Sequence, residues 1–188
     1  MAEIFKTLKE VGVVMGDLTT ALVAGGPTVD RISLAWQTIG TPAFGIDQNV
    51  IYISVVEKDI AYNKQRETSY TAEDNDIFVQ HTVYTRGLSV AWTIYGPDSY
   101  TLSQMIRDYI YYQENHDLLA WNNIFMVPSI EAARRVPELF VGQWWERVDI
   151  NIEFYELIVR ERKSASILSA EITTQSDKGL ISDTVITQ

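Results

Sequence analysis

The sequence contains no cysteine and only two histidines, and its 15 Lys and Arg are outnumbered by 25 Asp and Glu, giving a formal charge of −10. Each shortage removes a class of function. Without cysteine there is no disulfide, no thiolate zinc site, no iron–sulfur cluster and no cysteine nucleophile. The acidic excess argues against a general DNA-binding surface, because that affinity comes from Lys and Arg displacing counterions from phosphates. Long apolar runs are missing too. The stretch from Val11 to Gly16 is flanked by Glu10 and Asp17 and is too short for a signal-peptide core. The longest uncharged run, Ile32 to Ile46, is broken by Gly40, Pro42 and Gly45 and does not suit a bilayer span. The expectation is a soluble chain, made in a reducing compartment, without a membrane partner. What is present is the composition of a folded globule, 46% hydrophobic and 11% aromatic over 188 residues, a length that suits one domain with at most an appendage.

Periodicity divides the chain. Ile4, Leu8, Val11, Met15, Leu18 and Leu22 form a heptad-like helix stripe, ended by Gly25, Gly26 and Pro27. This predicts an N-terminal helix within 1–24. Val29 to Gln37 and the nearly all-apolar Val50 to Val56 read as strands. Glu57 to Asp76 is polar and reads as a long loop or extended arm with a partner of its own. Asp76 to Tyr95 is strand-like, with Leu88, Val90, Trp92 and Ile94 alternating against Ser89, Ala91 and Thr93. A helix capped at Asp98 or Ser99 follows, with Leu102, Met105, Ile106, Tyr109 and Ile110 on one face. A second, short helix from Asp117 carries Leu118, Leu119 and Trp121, and Phe125 to Ile130 reads as a strand interrupted at Pro128. Val148, Ile150, Ile152 and Phe154 mark the clearest strand, followed to Arg160. The segment 163–188 holds nine Ser and Thr and reads as a tail able to add a strand to a neighbour.

Catalytic motifs do not survive their own geometric requirements. Gly87 to Ala91 approaches the nucleophile elbow, but the second glycine is Ala91 and the segment alternates as a strand, so Ser89 reads as a strand serine. Glu73-Asp-Asn-Asp76 resembles the start of a calcium loop, yet Val79 and Thr85 occupy the places of its glycine and bidentate glutamate. His116 stands beside Glu114 and Asp117, but neighbouring positions diverge on a helix, and His81 has no carboxylate in obvious register. The reading is therefore no enzyme, no metal and no cofactor. Arg134, Arg135, Arg160, Arg162 and Lys163 all have glutamates nearby and read as ion-paired rather than as a nucleic-acid surface.

One segment stands apart. Between Arg134 and Arg147 the chain packs three Arg, Phe140 and the adjacent Trp144 and Trp145. Neighbours on a strand face opposite sides, so the two indoles do not share one core. Trp and Arg are enriched at the anchors of protein interfaces. Arg134, Arg135, Phe140, Trp144, Trp145 and Arg147 are accordingly the candidate subunit or partner interface.

The blocks Tyr84 to Pro97 (YTRGLSVAWTIYGP) and Arg135 to Phe154 (RVPELFVGQWWERVDINIEF) resemble the neck and tail terminator proteins of tailed phages and prophages. The likeness runs from about Pro27 to Arg162 and leaves out the N-terminal helix and the Ser/Thr-rich tail. It implies an α+β domain over 1–162, with helices packed on a mixed or antiparallel sheet, followed by the C-terminal strand or tail 163–188. It further implies a structural virion protein assembling with itself as a hexameric ring. Such a ring caps the tail tube, ends tail growth and joins the tail to the head connector or stopper protein. The genome DNA passes through its lumen without sequence-specific binding, and an acidic lining would let the phosphates slide. The expected location is the virion neck or tail, after assembly in the host cytoplasm. The alternatives are another neck or tail subunit, for head completion or the tail tube, and an unrelated enzyme or ligand-binding module.

Overall fold

The computed structural model describes residues 3–35, 43–74, 77–165, 169–176 and 179–187. Its elements run α1 Leu8–Leu22, β1 Arg31–Leu34, β2 Val50–Lys58, α2 Ala61–Lys64, β3 Glu67–Asp74, β4 Ile77–Tyr95, α3 Ser99–Tyr109 and α4 Gln113–Trp121. They continue with β5 Ile124–Met126, β6 Arg134–Arg135, β7 Glu138–Phe140, β8 Gln143–Trp145, β9 Arg147–Ala165, β10 Ser169–Ser176 and β11 Gly179–Thr187. The class is α+β. The sheet order is β1-β2-β4-β9-β5, with β1 parallel to β2 and β2 antiparallel to β4, so the sheet is mixed. The chain forms two compact units, one of Ile4–Gln65 with Tyr84–Ile158, the other of Met1–Glu3, Arg66–Val83 and Val159–Gln188.

In the larger unit the period-two pattern becomes a buried sheet face. Ile51 and Ile53 of β2, Leu88, Val90, Trp92 and Ile94 of β4, and Ile150, Ile152 and Phe154 of β9 are all buried in one core. Helices α1, α3 and α4 contribute Val11, Met15, Leu18, Leu22, Leu102, Ile106 and Leu119 to it. Two details fix the seating of α1. A Cβ on Gly12 would lie 2.9 Å from the Leu34 side chain, so glycine here permits the close approach of β1. The Trp92 indole N–H donates to Thr19 Oγ1 at 2.8 Å, satisfying the one polar atom of the largest core side chain. Although the apolar stripe begins at Ile4, the helix begins at Leu8. Thr7 accepts from the Glu10 N–H at 3.2 Å, and the Glu10 carboxylate accepts from the Thr7 N–H at 2.7 Å, a reciprocal capping box that also holds the Glu10 carboxyl below its ordinary pKa.

A buried ion pair ties the N-terminal segment to this unit. Arg86, 5% exposed, donates from Nε to Glu156 Oε2 at 2.9 Å and from Nη2 to the Lys6 carbonyl at 2.8 Å. Its guanidinium lies 5.6 Å from the centre of the Phe5 ring. Burial pushes the Glu156 carboxyl above its ordinary pKa, against the opposing pull of Arg86.

In the smaller unit, β3 pairs antiparallel with β4, Tyr70 opposite Gln80 and Ser69 opposite His81. This corrects the reading of Glu57 to Asp76 as a loop or arm. The segment completes β2, makes the single turn α2 and forms β3, whose Thr, Ser and Tyr residues suit a pleated strand. His81 is buried, its Nδ1 3.2 Å from Glu161 Oε1, a carboxylate that the register of the sequence alone did not reveal. β10 and β11 form an antiparallel hairpin with an irregularity between Thr174 and Gln175. Within the segment read as a tail, residues 166–168, 177–178 and 188 lie outside the described residues. Among the described residues no helix is long and apolar enough to cross a membrane.

Candidate interface hairpin

The segment read as an interface folds into the hairpin β7-β8, paired Glu138 with Trp145, Leu139 with Trp144 and Phe140 with Gln143. Cross-strand partners share a face, so the pairing puts Leu139 and Trp144 on one side and Glu138, Trp145 and Phe140 on the other. The two-residue loop has positive φ at both positions, 50° at Val141 and 76° at Gly142. Glycine and asparagine suit such a loop, whereas a β-branched residue there is strained. Val141 is nonetheless 87% exposed, with Trp144 and Phe140 at 64% and Leu139 at 57%.

The other face closes over an aromatic cluster. Trp145 meets Phe44 edge-on with ring centres 5.3 Å apart, and Phe44 lies 5.5 Å from Tyr95 and 6.2 Å from Tyr52. Arg31 stands 5.6 Å from the centre of Phe44, and Arg147 stands 5.9 Å from that of Tyr95. Such edge and cation contacts add to the burial of the rings themselves. The Trp145 indole nitrogen is buried without a hydrogen-bond partner among the described residues, so this ring is placed by its packing. Together Phe44, Tyr52, Tyr95, Trp145, Phe140 and Arg147 line much of a cavity of about 630 Å³.

Charge holds the hairpin down. The Tyr95 hydroxyl donates to Glu138 Oε2 at 2.9 Å; burial first, and this carboxylate second, push the phenol up to about 12. Arg147 donates from Nε and Nη2 to the two oxygens of Asp149, each at 2.9 Å, and its Nη1 lies 3.6 Å from Glu138. The bidentate contact with Asp149 holds the guanidinium above its ordinary pKa. Beside the hairpin, β6 pairs with β9 and leaves Arg134 and Arg135 exposed, Arg135 lying 3.3 Å from Glu146.

The structure therefore gathers Phe140, Trp145 and Arg147 around the cavity, turns Trp144 outward, and sets Arg134 and Arg135 on the neighbouring strand. Sequence reasoning missed Phe44, Tyr52, Tyr95 and Glu138. The available signal was that Tyr52 and Tyr95 fall out of phase with the buried positions of their strands, which places them on the face away from the helices. Elsewhere, Ser89 is a strand residue whose hydroxyl donates to Asn151 Oδ1 at 2.9 Å, and His116 is exposed on α4. No group of three or more His, Asp and Glu suited to a metal occurs among the described residues. The family model described as phage neck terminator protein matches residues 15–179, and no curated protein matches the chain.

Proposed function

Since the chain belongs to the phage neck terminator family, a family of structural neck proteins of the virion that meet other virion proteins there, we propose that it forms a hexameric ring that caps the tail tube and terminates tail growth. The ring joins the tail to the head connector or stopper protein, and the genome passes through it. The observation that carries this reading is the exposed apolar hairpin, on which Leu139, Phe140, Val141 and Trp144 are all more than half exposed in a single copy. Such a concentration of apolar surface marks a contact site. Arg134 and Arg135 flank the anchors Phe140 and Trp144 in that contact, while Trp145 and Arg147, packed on Phe44 and paired with Asp149, hold the hairpin in place behind it. Assembly takes place in the host cytoplasm through packing and strand exchange, without covalent staples, as suits a chain without cysteine. The charge of −10 gives the lumen a lining that repels phosphates, so DNA slides through unbound.

Electron microscopy of isolated tail tubes incubated with the purified protein tests the reading. One ring at a single end of each tube is expected. Repeats along the tube would favour the tail-tube alternative, and absence of binding would defeat the terminator role.

A further inference from the structure

In the smaller unit, β3 is a long strand with one side unused. Its eight residues pair with β4, and its other edge pairs with no strand among the described residues. Every residue from Glu67 to Ala72 is exposed, so solvent reaches both faces of this strand. An unpaired edge presents a row of N–H and C=O groups that templates another strand, and folded chains blunt such edges by keeping them short or charged. Most edges of this fold are blunted in these ways. β1 has four residues, β5, β7 and β8 have three each, and the end of β9 carries Arg160, Glu161, Arg162 and Lys163. By contrast, Thr68 to Ala72 runs for five residues without a charge, a proline or a glycine.

The same unit holds strands with the complementary need. β10 and β11 form a two-stranded sheet that pairs with no other strand among the described residues. Two strands alone are marginally stable in water, so this hairpin gains from a third. With eight and nine residues, its strands match β3 in length. β11 is the better donor, since five of its nine residues are β-branched against three of eight in β10, and since β10 is the strand joined to β9.

The tether decides which copy receives the hairpin. His81 of β4 meets Glu161 of β9, so β9 runs along one side of β4 and β3 along the other. In its own copy the hairpin pairs with neither β9 nor β3. Laid beside β3 in the same sheet with β11 inward, β10 would stand four strand spacings from β9, roughly 19 Å. The four Cα steps from Ala165 to Ser169 reach at most about 15 Å. A neighbouring copy carries no such limit. Donor and acceptor are then different patches of one chain, the heterologous contact from which rings are built.

We propose that β11 of one copy adds to the free edge of β3 in the next, extending its sheet by the β10-β11 hairpin. The proposal rests on the ring reading and names the strands exchanged in it.

Proline tests the edge directly, because a strand tolerates it where the N–H points away from the sheet and loses a ladder bond where the N–H is paired. Of Tyr70 and Thr71, one N–H faces β4 and the next faces outward. Tyr70→Pro and Thr71→Pro are made in the full chain, with folding followed by circular dichroism and assembly by native mass. One of the two should fold as the unmodified chain does and assemble at least about tenfold more weakly. Normal assembly of both would overturn the proposal. Where neither proline variant folds, single introduced thiols decide. Thr71→Cys on β3 and Thr184→Cys on β11 are treated with a short bismaleimide, alone and mixed. The mixture should give a cross-linked dimer at least about tenfold above either variant alone. Dimers from Thr71→Cys alone would show β3 meeting β3, and a cross-link within one chain of the double variant at monomeric dilution would show the hairpin closing on its own β3; either overturns the proposal. So does an uncross-linked mixture when native mass shows that the unmodified chain assembles, which leaves the ring reading intact. A chain that never assembles defeats both.

Discussion

Trp144 and Trp145 are adjacent in sequence and opposite in surroundings: Trp144 is 64% exposed beside Leu139, while Trp145 packs edge-on against Phe44 with ring centres 5.3 Å apart. The strand alternation that separates them also separates their roles. Trp144→Ala is expected to leave the subunit's melting temperature unchanged and to weaken self-association by about 2 kcal/mol, roughly 30-fold in dissociation constant. Trp145→Ala should instead cost about 2–3 kcal/mol of subunit stability through lost ring contacts. Denaturant unfolding together with sedimentation distinguishes the two, and identical profiles for both variants would contradict the assignment.

Val141 gives a cleaner separation of folding from assembly. Its φ of 50° suits asparagine far better than valine. Val141→Asn should raise hairpin stability by about 1 kcal/mol while reducing assembly. A variant both more stable and fully assembling would show that the exposed valine has no part in the contact.

The buried Arg86 and Glu156 pair predicts a large, pH-dependent loss. Arg86→Met leaves the Glu156 carboxylate buried and unpaired and should cost about 3–5 kcal/mol at neutral pH. The Glu156 carboxyl has its pKa raised in the fold. Its protonated form is therefore favoured by folding: the associated stability is present below the unfolded pKa of 4.5 and is lost as pH rises through the folded value. The deficit of Arg86→Met should shrink as the pH is lowered toward 4.5, and adding Glu156→Gln should recover much of it at pH 7. A deficit independent of pH would mean that lost packing of the Arg86 stem dominates.

Tyr95 makes the alkaline counterpart. With its phenol pushed up to about 12 from an ordinary 10, the folded state holds a proton that the unfolded chain has already released. Its contribution is complete below pH 10 and is lost as pH rises toward 12. Tyr95→Phe should match the unmodified chain's dependence on pH up to 10 and show a shallower decline above it. Urea unfolding across pH 8.5 to about 11.5 tests this, and parallel curves throughout would contradict it.

Much of the fold was legible because single-period signals dominate its core. The alternation at Leu88, Val90, Trp92 and Ile94 and the stripe at Leu102 and Ile106 mark residues that are buried together. What escaped the sequence was set by partners distant along the chain. β3 carries no strong alternation and forms through its pairing with β4. Helix α4 starts at Gln113 rather than Asp117, because Asn115 is buried and its amide donates to the Tyr109 carbonyl at 2.8 Å, a contact invisible to a hydrophobic pattern. Trp121, which that helix carries with Leu118 and Leu119, is 83% exposed. The aromatic cluster depends on Phe44, Tyr52, Tyr95 and Trp145 converging from four places in the chain, which no local spacing encodes.

Closure of the proposed ring depends on contacts that Trp144 anchors. Native mass spectrometry of the purified full-length protein across a range of concentrations tests it most directly, with Trp144→Ala measured beside it. A single closed oligomer of six copies is expected for the unmodified chain and a shift to monomer for the variant. A monomer at every concentration, or an oligomer unchanged by Trp144→Ala, would contradict it.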